Sequence, residues 1–249
     1  MDDGLITLEQ HQTEILQNKH AWESKRLLRT VYGSFYRRIA ELVDPQVPGK
    51  IVELGSGVGN LKTEIPNALC TDLFPNPWLD LVCNAYAMPF ENHSVSHLVL
   101  FDVFHHLERP KAFFKEANRV LTNGGRVIIF EPYMSVISHA IYGIFHHEPV
   151  AWNASINFDD TAPPEECYYA AQGNATRLFF RRGVQEWLNG WSLFHRETMV
   201  SFSYLFSGGY SKPAMYPDSM LPLMQNIDRA LTHWPSAFAA RCLIGLTRA

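Results

Sequence analysis

Residues 49–60, Gly-Lys-Ile-Val-Glu-Leu-Gly-Ser-Gly-Val-Gly-Asn, constrain the fold more than any other stretch. The apolar pair Ile51-Val52 runs into an acid, Glu53, and three alternating glycines, Gly55, Gly57 and Gly59, follow at once. This reads as a buried strand feeding a tight turn, where missing Cβ atoms let the backbone approach a ligand. In open α/β sheets such a turn, at the carboxyl end of the first strand, is where a nucleotide-like ligand sits. A dinucleotide fingerprint needs G-x-G-x-x-G, with amides aimed at a pyrophosphate. Here the spacing is G-x-G-x-G, and Glu53 lies two residues before the first glycine. A carboxylate there suits an ammonium or sulfonium group better than a phosphate.

The segments around the turn alternate between strand and helix patterns, which calls for a mostly parallel sheet. Strands are expected at 68–72, 81–84, 97–101 and 126–130. A short helix is expected at 60–65 and a longer one at 110–121. Phe74-Pro75-Asn76-Pro77-Trp78 predicts a loop where a crossover helix would otherwise stand. Upstream, residues 5–43 carry apolar residues at helical spacing and predict two helices broken near Gly33. Tyr32 and Tyr36 on this segment are read as packing residues or as a cover over the ligand. Its five bases, Lys25, Arg26, Arg29, Arg37 and Arg38, read first as a solvated helix face. Downstream, 133–147 predicts an apolar helix, 148–176 an irregular stretch, and 177–191 a helix or short strand. A sixth strand is expected at 193–205, a helix at 217–233 and a last strand at 241–247.

Several segments resemble the motifs of class I S-adenosylmethionine-dependent methyltransferases, in particular the small-molecule, type 11-like group. Glu53-Leu54-Gly55-Ser56-Gly57-Val58-Gly59 is similar to the family's acid-x-G-x-G-x-G motif, and Asp72 ends the second strand 19 residues after Glu53. Asn84-Ala85-Tyr86-Ala87-Met88-Pro89-Phe90 resembles D-A-x-x-L-P-F, with an amide where the family has its acid. Arg119-Val120-Leu121-Thr122-Asn123-Gly124-Gly125-Arg126 is similar to R-V-L-x-P-G-G-R. The matches run over residues 49–132, about a third of the chain.

The resemblance implies a doubly wound, seven-stranded Rossmann-like sheet with S-adenosylmethionine as cofactor. It implies that Glu53, Gly55, Ser56 and Gly57 hold the methionine part and that Asp72 and Leu73 hold the ribose. Asn84, Ala85 and Tyr86 would face the adenine, with Phe101 and Asp102 completing the site. The expected layout is one domain over 1–249: a helical cover at 1–44, a cofactor core at 45–132, a substrate-side insertion with strand six at 133–215, and a closing helix and strand at 216–249. The implied activity is methyl transfer to O, N or C of a small organic acceptor. A nicotinamide-dependent oxidoreductase and a cofactor-binding partner protein without activity remain as alternatives.

Transfer from a sulfonium needs an aligned nucleophile and sometimes a base. His106, of the pair His105-His106 after strand four, and Glu131, at the mouth of strand five, are the catalytic candidates. Tyr133, His147 and Arg181 are the substrate-side candidates, because residues 133–215 concentrate aromatic and His residues after the last cofactor motif. His146-His147-Glu148 lacks H-E-x-x-H spacing, so no metal is expected there. Hydrolase and Walker signatures are missing.

Composition sets the outer bounds. A net charge of −4 gives no domain-wide basic field for nucleic acid. No apolar run approaches the ~20 residues of a membrane span. Cys70, Cys83, Cys167 and Cys242 are widely spaced and read as reduced thiols of a cytoplasmic protein.

Overall fold

The computed structural model describes residues 8–139, 155–162, 173–182 and 184–248. Seven strands form one sheet in the order β3-β2-β1-β4-β5-β7-β6. They are β1 Lys50–Leu54, β2 Leu69–Asp72, β3 Leu81–Val82, β4 Val95–Phe101, β5 Leu121–Pro132, β6 Trp191–Val200 and β7 Ala239–Arg248. β1 to β5 pair in parallel, while β7 lies antiparallel between β5 and β6. This is the doubly wound sheet expected from the sequence. The chain reverses direction between β1 and β4, so ligand space opens at the carboxyl ends of those strands.

Alternation along the central strands splits the core into two layers. Val52, Leu54, Leu98, Leu100, Val127 and Ile129 face one side, where they pack with α3 (Pro110–Val120) and with residues 175–191. Val99, Ile128, Phe130 and Leu243 face the other side, under α2 (Arg26–Ala40). α2 buries Leu27, Leu28, Val31, Tyr32, Phe35, Tyr36 and Ile39, a stripe at helical spacing that explains its position.

Four boundaries differ from expectation. The break in the N-terminal helices falls at Lys25, between α1 (Leu8–Ser24) and α2, not at Gly33. The buried stripe runs through Gly33 and outweighs the ~1 kcal/mol helix cost of glycine. Lys25 instead turns its ammonium onto the carbonyls of Gly209, Tyr210 and Lys212, at 2.9, 3.2 and 2.7 Å. β6 stops at Val200 because Asp228 accepts the N–H groups of Phe202 and Ser203, at 2.6 and 3.2 Å, and starts α4 (Phe202–Leu205). β5 extends from Leu121 to Pro132, its start paired with Val95 of β4 and its end with Arg241 of β7. Residues 176–181 and 184–186 form short π and 3₁₀ turns.

The expected loop at 74–78 is present, and α5 (Leu221–Leu231) and α6 (Pro235–Phe238) lead into β7. Most of the helix expected over 133–147 lies outside the described residues, although Val136 to His139 begin as helix. No helix among the described residues is long and apolar enough to cross a membrane.

His97, in the middle of this sheet, carries a pH-dependent part of the stability. It is buried, accepts the Asp44 N–H at Nε2 (3.0 Å) and meets the Ser96 hydroxyl at Nδ1 (3.0 Å). Burial and the nearby Arg126 guanidinium hold it neutral, down to about 4. In the unfolded chain it protonates near the ordinary ~6.5. Its contribution is therefore complete above ~6.5 and lost as pH falls toward 4, up to about 3 kcal/mol. Urea unfolding from pH 7 to 4, compared with His97→Gln, should show a steeper loss for the wild type; parallel curves would refute this.

Candidate active site

A cleft of about 620 Å³ opens at the carboxyl ends of β1, β2 and β4, beneath α1, α2 and residues 204–212. The glycine turn forms its floor. Gly55 sits at φ +64°, and a Cβ there would meet Val103 Cγ2 at 2.3 Å, so this position admits only glycine. Gly57 sits at φ +55°, and a side chain there would enter the gap toward Ile15 of α1.

Every residue expected at the cofactor lines this cleft. Glu53, Gly55, Ser56 and Gly57 come from the end of β1 and its turn, and Asp72 and Leu73 from the end of β2. Asn84, Ala85 and Tyr86 follow β3, while Phe101 and Asp102 end β4. Asp72 is held from two sides: Oδ2 accepts the Gly57 N–H at 3.0 Å and Oδ1 the Leu73 N–H at 2.7 Å. Each oxygen keeps a lone pair for a hydroxyl. Asn84 Oδ1 accepts the Tyr86 N–H at 2.8 Å, which fixes that turn and leaves the amide edge at the cleft.

Glu53 is different in kind. It is 3% exposed, and the weak Cys70 thiol donates to its carboxylate at 3.8 Å. Burial pushes its carboxyl up to about 8. A buried acid so poor in donors, facing a cleft, is complementary to a cation.

The catalytic candidates separate. His106 lines the cleft, as does His105. Glu131 does not reach it: fully buried, its Oε1 accepts the N–H groups of Val103 and Phe104, at 2.8 and 2.6 Å. Its Oε2 accepts from His105 Nδ1 at 2.5 Å. Glu131, a catalytic candidate from the sequence, is instead an acid that braces the loop after β4. Asp102, His105 and Glu131 offer oxygen and nitrogen atoms within 4.8 Å of one another, a spacing a metal would accept. The Glu131 oxygens, however, are turned onto N–H donors and Asp102 onto a guanidinium, an arrangement that builds a hydrogen-bonded set.

The substrate-side candidates do not gather here. Tyr133 packs edge-on against Phe180, 5.0 Å between ring centroids, and is not part of the cleft lining. Arg181 is exposed, its guanidinium 3.5 Å from the Met134 carbonyl. His147 lies outside the described residues. The non-cofactor half of the cleft comes instead from α1, from Tyr32 and Tyr36 of α2, from 204–212, and from Arg241. Of these, only the two tyrosines stood out in the sequence.

Arg241, 1% exposed, is the most buried charged residue lining the cleft. Its guanidinium lies 4.7 Å from the Phe130 ring centre, 5.1 Å from Tyr204 and 5.3 Å from Phe101, and binds the Asp102 carboxylate at 2.7 and 2.8 Å. Asp102 takes a left-handed backbone, φ +56°, to aim that carboxylate back at Arg241. Because the cation is the desolvated partner, Asp102→Ala should cost about 3–5 kcal/mol of unfolding free energy. Arg241→Met, which fills the aromatic box with an apolar chain, should cost less than about 2 kcal/mol. Denaturant titration of both variants checks the order, and the reverse order would refute it.

Residues 52–129 match the family model described as a methyltransferase domain. No curated protein matches the chain. Among solved structures, one similar protein is from Galdieria sulphuraria and is provisionally assigned as a sarcosine dimethylglycine methyltransferase (13% identity, 95% of this chain and 98% of that one, TM-score 0.52). Another, provisionally assigned as a methyltransferase, is solved in complex with the Haloferax volcanii Trm112 methyltransferase activator (14% identity, 96% and 97%, TM-score 0.51). At such identities the likeness is one of fold. The matched segment, a methyltransferase domain, spans the glycine turn, Asp72 and the loop after β4.

Proposed function

We propose that the protein transfers the methyl group of S-adenosylmethionine to O, N or C of a small organic molecule bound beside the cofactor in the covered cleft. The observation that carries this reading is the division of the cleft. One wall is the glycine turn with Glu53, Asp72 and Asn84; the other is aromatic, with Tyr32, Tyr36, Tyr204 and Tyr210. Rings with polar tips suit an organic acceptor that needs a few polar contacts. α1 and residues 208–212 lie over this space, tied by Lys25, which favours a small acceptor over a macromolecule. The buried, unpaired thiols of Cys70, Cys83 and Cys242 suit a reducing compartment such as the cytoplasm.

In this reading Asp72 takes the ribose hydroxyls, Asn84 faces the adenine, and Glu53 faces the cationic methionine end. The cofactor supplies an electrophilic methyl group. The chain supplies alignment, and a cleft that keeps water from the sulfonium. Mass spectrometry of metabolite pools incubated with the protein and labelled S-adenosylmethionine tests the activity, with a labelled product expected. Cofactor binding without any labelled product would favour a partner protein that has lost catalysis.

Cofactor contacts are tested by calorimetry. Because Glu53 sits near 8, a cation bound beside it must expel a proton below that pH. Binding at pH 6.5 should therefore release protons, seen as an enthalpy that varies with the buffer's own ionisation enthalpy. Glu53→Gln should abolish the release and weaken binding more than tenfold, about 1.5–3 kcal/mol. Asp72→Ala should cost a similar amount, and Asn84→Ala only ~0.5–1.5 kcal/mol. Proton release undiminished in Glu53→Gln, or a larger loss from Asn84→Ala than from Asp72→Ala, would overturn these placements.

A further inference from the structure

The turn after β3 presents an amide where a carboxylate would be expected, and its geometry says which end of that amide is left for a ligand. Asn84 lines the cleft beside Cys83, Ala85 and Tyr86. Its backbone carbonyl accepts the Ala87 N–H at 3.1 Å, and its side-chain Oδ1 accepts the Tyr86 N–H at 2.8 Å. An amide that accepts an N–H two residues on forms an Asx turn. Only the oxygen can make that bond, so the bond itself decides which arm of the amide is oxygen and which is nitrogen. One residue earlier, the Cys83 N–H donates to the Asp72 carbonyl at 2.8 Å, which ties the turn to the aspartate assigned to the ribose. The amide is thus held in place next to the sugar site.

The nitrogen arm is the group left over. Among the described residues Nδ2 has no partner, and it is not sealed from solvent. The acids that line the cleft stand elsewhere: Glu53, Asp72 and Asp102 at the ends of β1, β2 and β4, and Glu14 on α1. Tyr86 is drawn away, its hydroxyl accepting the Arg109 N–H at 3.2 Å at the start of α3. On the turn 83–87 Asn84 is therefore the side chain that can sort bases.

We propose that Asn84 makes the base pocket tolerant at the purine 6-position, so that a 6-keto purine (hypoxanthine) occupies the place of adenine about as well as adenine does. This rests on the S-adenosylmethionine reading above and concerns how that cofactor's base is recognised. A carboxylate on this turn would offer acceptors only. It would favour the amino group of adenine and repel a keto oxygen. The amide offers both signs: Oδ1 keeps a lone pair beside the Tyr86 bond, and Nδ2 carries two N–H groups. A 6-amino purine presents a donor at the 6-position and an acceptor at N7, whereas a 6-keto purine presents acceptors at both. Either base meets a group of the right sign on one planar edge. Steep discrimination comes from a polar group left unpaired against the wrong ligand, and with the amide neither base leaves one.

The test is competition binding to the intact protein at pH 7 with S-adenosylhomocysteine and S-inosylhomocysteine, which differ in the amino or keto group of the base. The wild type should bind the two within about fivefold of each other. Asn84→Asp still accepts the Tyr86 N–H and so keeps the turn, but it should raise the preference for the adenosyl compound at least about tenfold over the wild type. A general loosening of the turn would weaken both compounds and leave their ratio unmoved. A wild-type preference beyond fivefold, or a ratio that Asn84→Asp moves by less than tenfold, would overturn the proposal. If Asn84→Asp does not fold, nitrogen-15 NMR of the wild type decides. The side-chain amide protons of Asn84 should shift when S-inosylhomocysteine binds, and an unchanged signal overturns the assignment. Tight binding of the adenosyl compound alone refutes only the tolerance assigned to Asn84, whereas wild-type protein that binds neither compound refutes the cofactor reading and this proposal with it.

Discussion

The Glu131 carboxylate is the point on which the acceptor side of the molecule hangs. It sits at the tip of β5 with no exposure, and it accepts three hydrogen bonds, all from residues 103–105. A buried carboxylate is tolerated only when its oxygens are satisfied. Satisfying Glu131 therefore forces the chain after β4 to turn sharply inward. Asp102, at the head of that turn, is driven into a left-handed backbone and meets Arg241. Arg241 in turn is accepted in the interior because aromatic faces of Phe130, Tyr204 and Phe101 surround it. One buried acid thus sets the positions of a strained aspartate, a cation and a histidine at the cleft.

The cofactor side was legible in the sequence because its chemistry is local. Each residue lining it comes from the end of a strand or the turn behind it. The strands are apolar runs, and the turns carry glycine, Asp72 or Asn84, so position in the chain and position in the cleft coincide. Gly55 is the clearest case, since only a residue without Cβ fits against Val103. The same locality made the parallel pairing of β1 to β5 readable from alternation of strand and helix.

The opposite wall was not legible, because it is assembled from distant segments that have no motif of their own. Lys25 meets carbonyls more than 180 residues away, and Arg241 meets Asp102 across 139 residues. Nothing in the pattern of α1 announces that it lies over the glycine turn. The aromatic density of residues 133–215 pointed to a pocket, yet Tyr133 and Phe180 spend their rings on each other. Composition reports how many aromatic rings a segment holds; only packing decides which of them face a ligand. The helix break at Lys25 had the same origin: a tertiary contact overrode the weak local signal of Gly33.

Glu53 and Glu131 show how surroundings divide one residue type into two roles. Both are glutamates near the carboxyl ends of parallel strands, and both are almost wholly out of water. Glu131 is saturated with donors inside the protein, so it has no capacity left for a ligand and acts by holding its neighbours. Glu53 has a thiol at 3.8 Å, and burial drives its carboxyl up to about 8. The Cys70 thiol and the field of Lys62 favour its ionised form only in part, which leaves it complementary to a cation arriving in the cleft. Filling the cleft with a cationic methyl donor would ionise Glu53 while leaving the Glu131–His105 pair unchanged. The two acids thus differ in reach: one is open to a charge that arrives in the cleft, and the other is spent inside the fold.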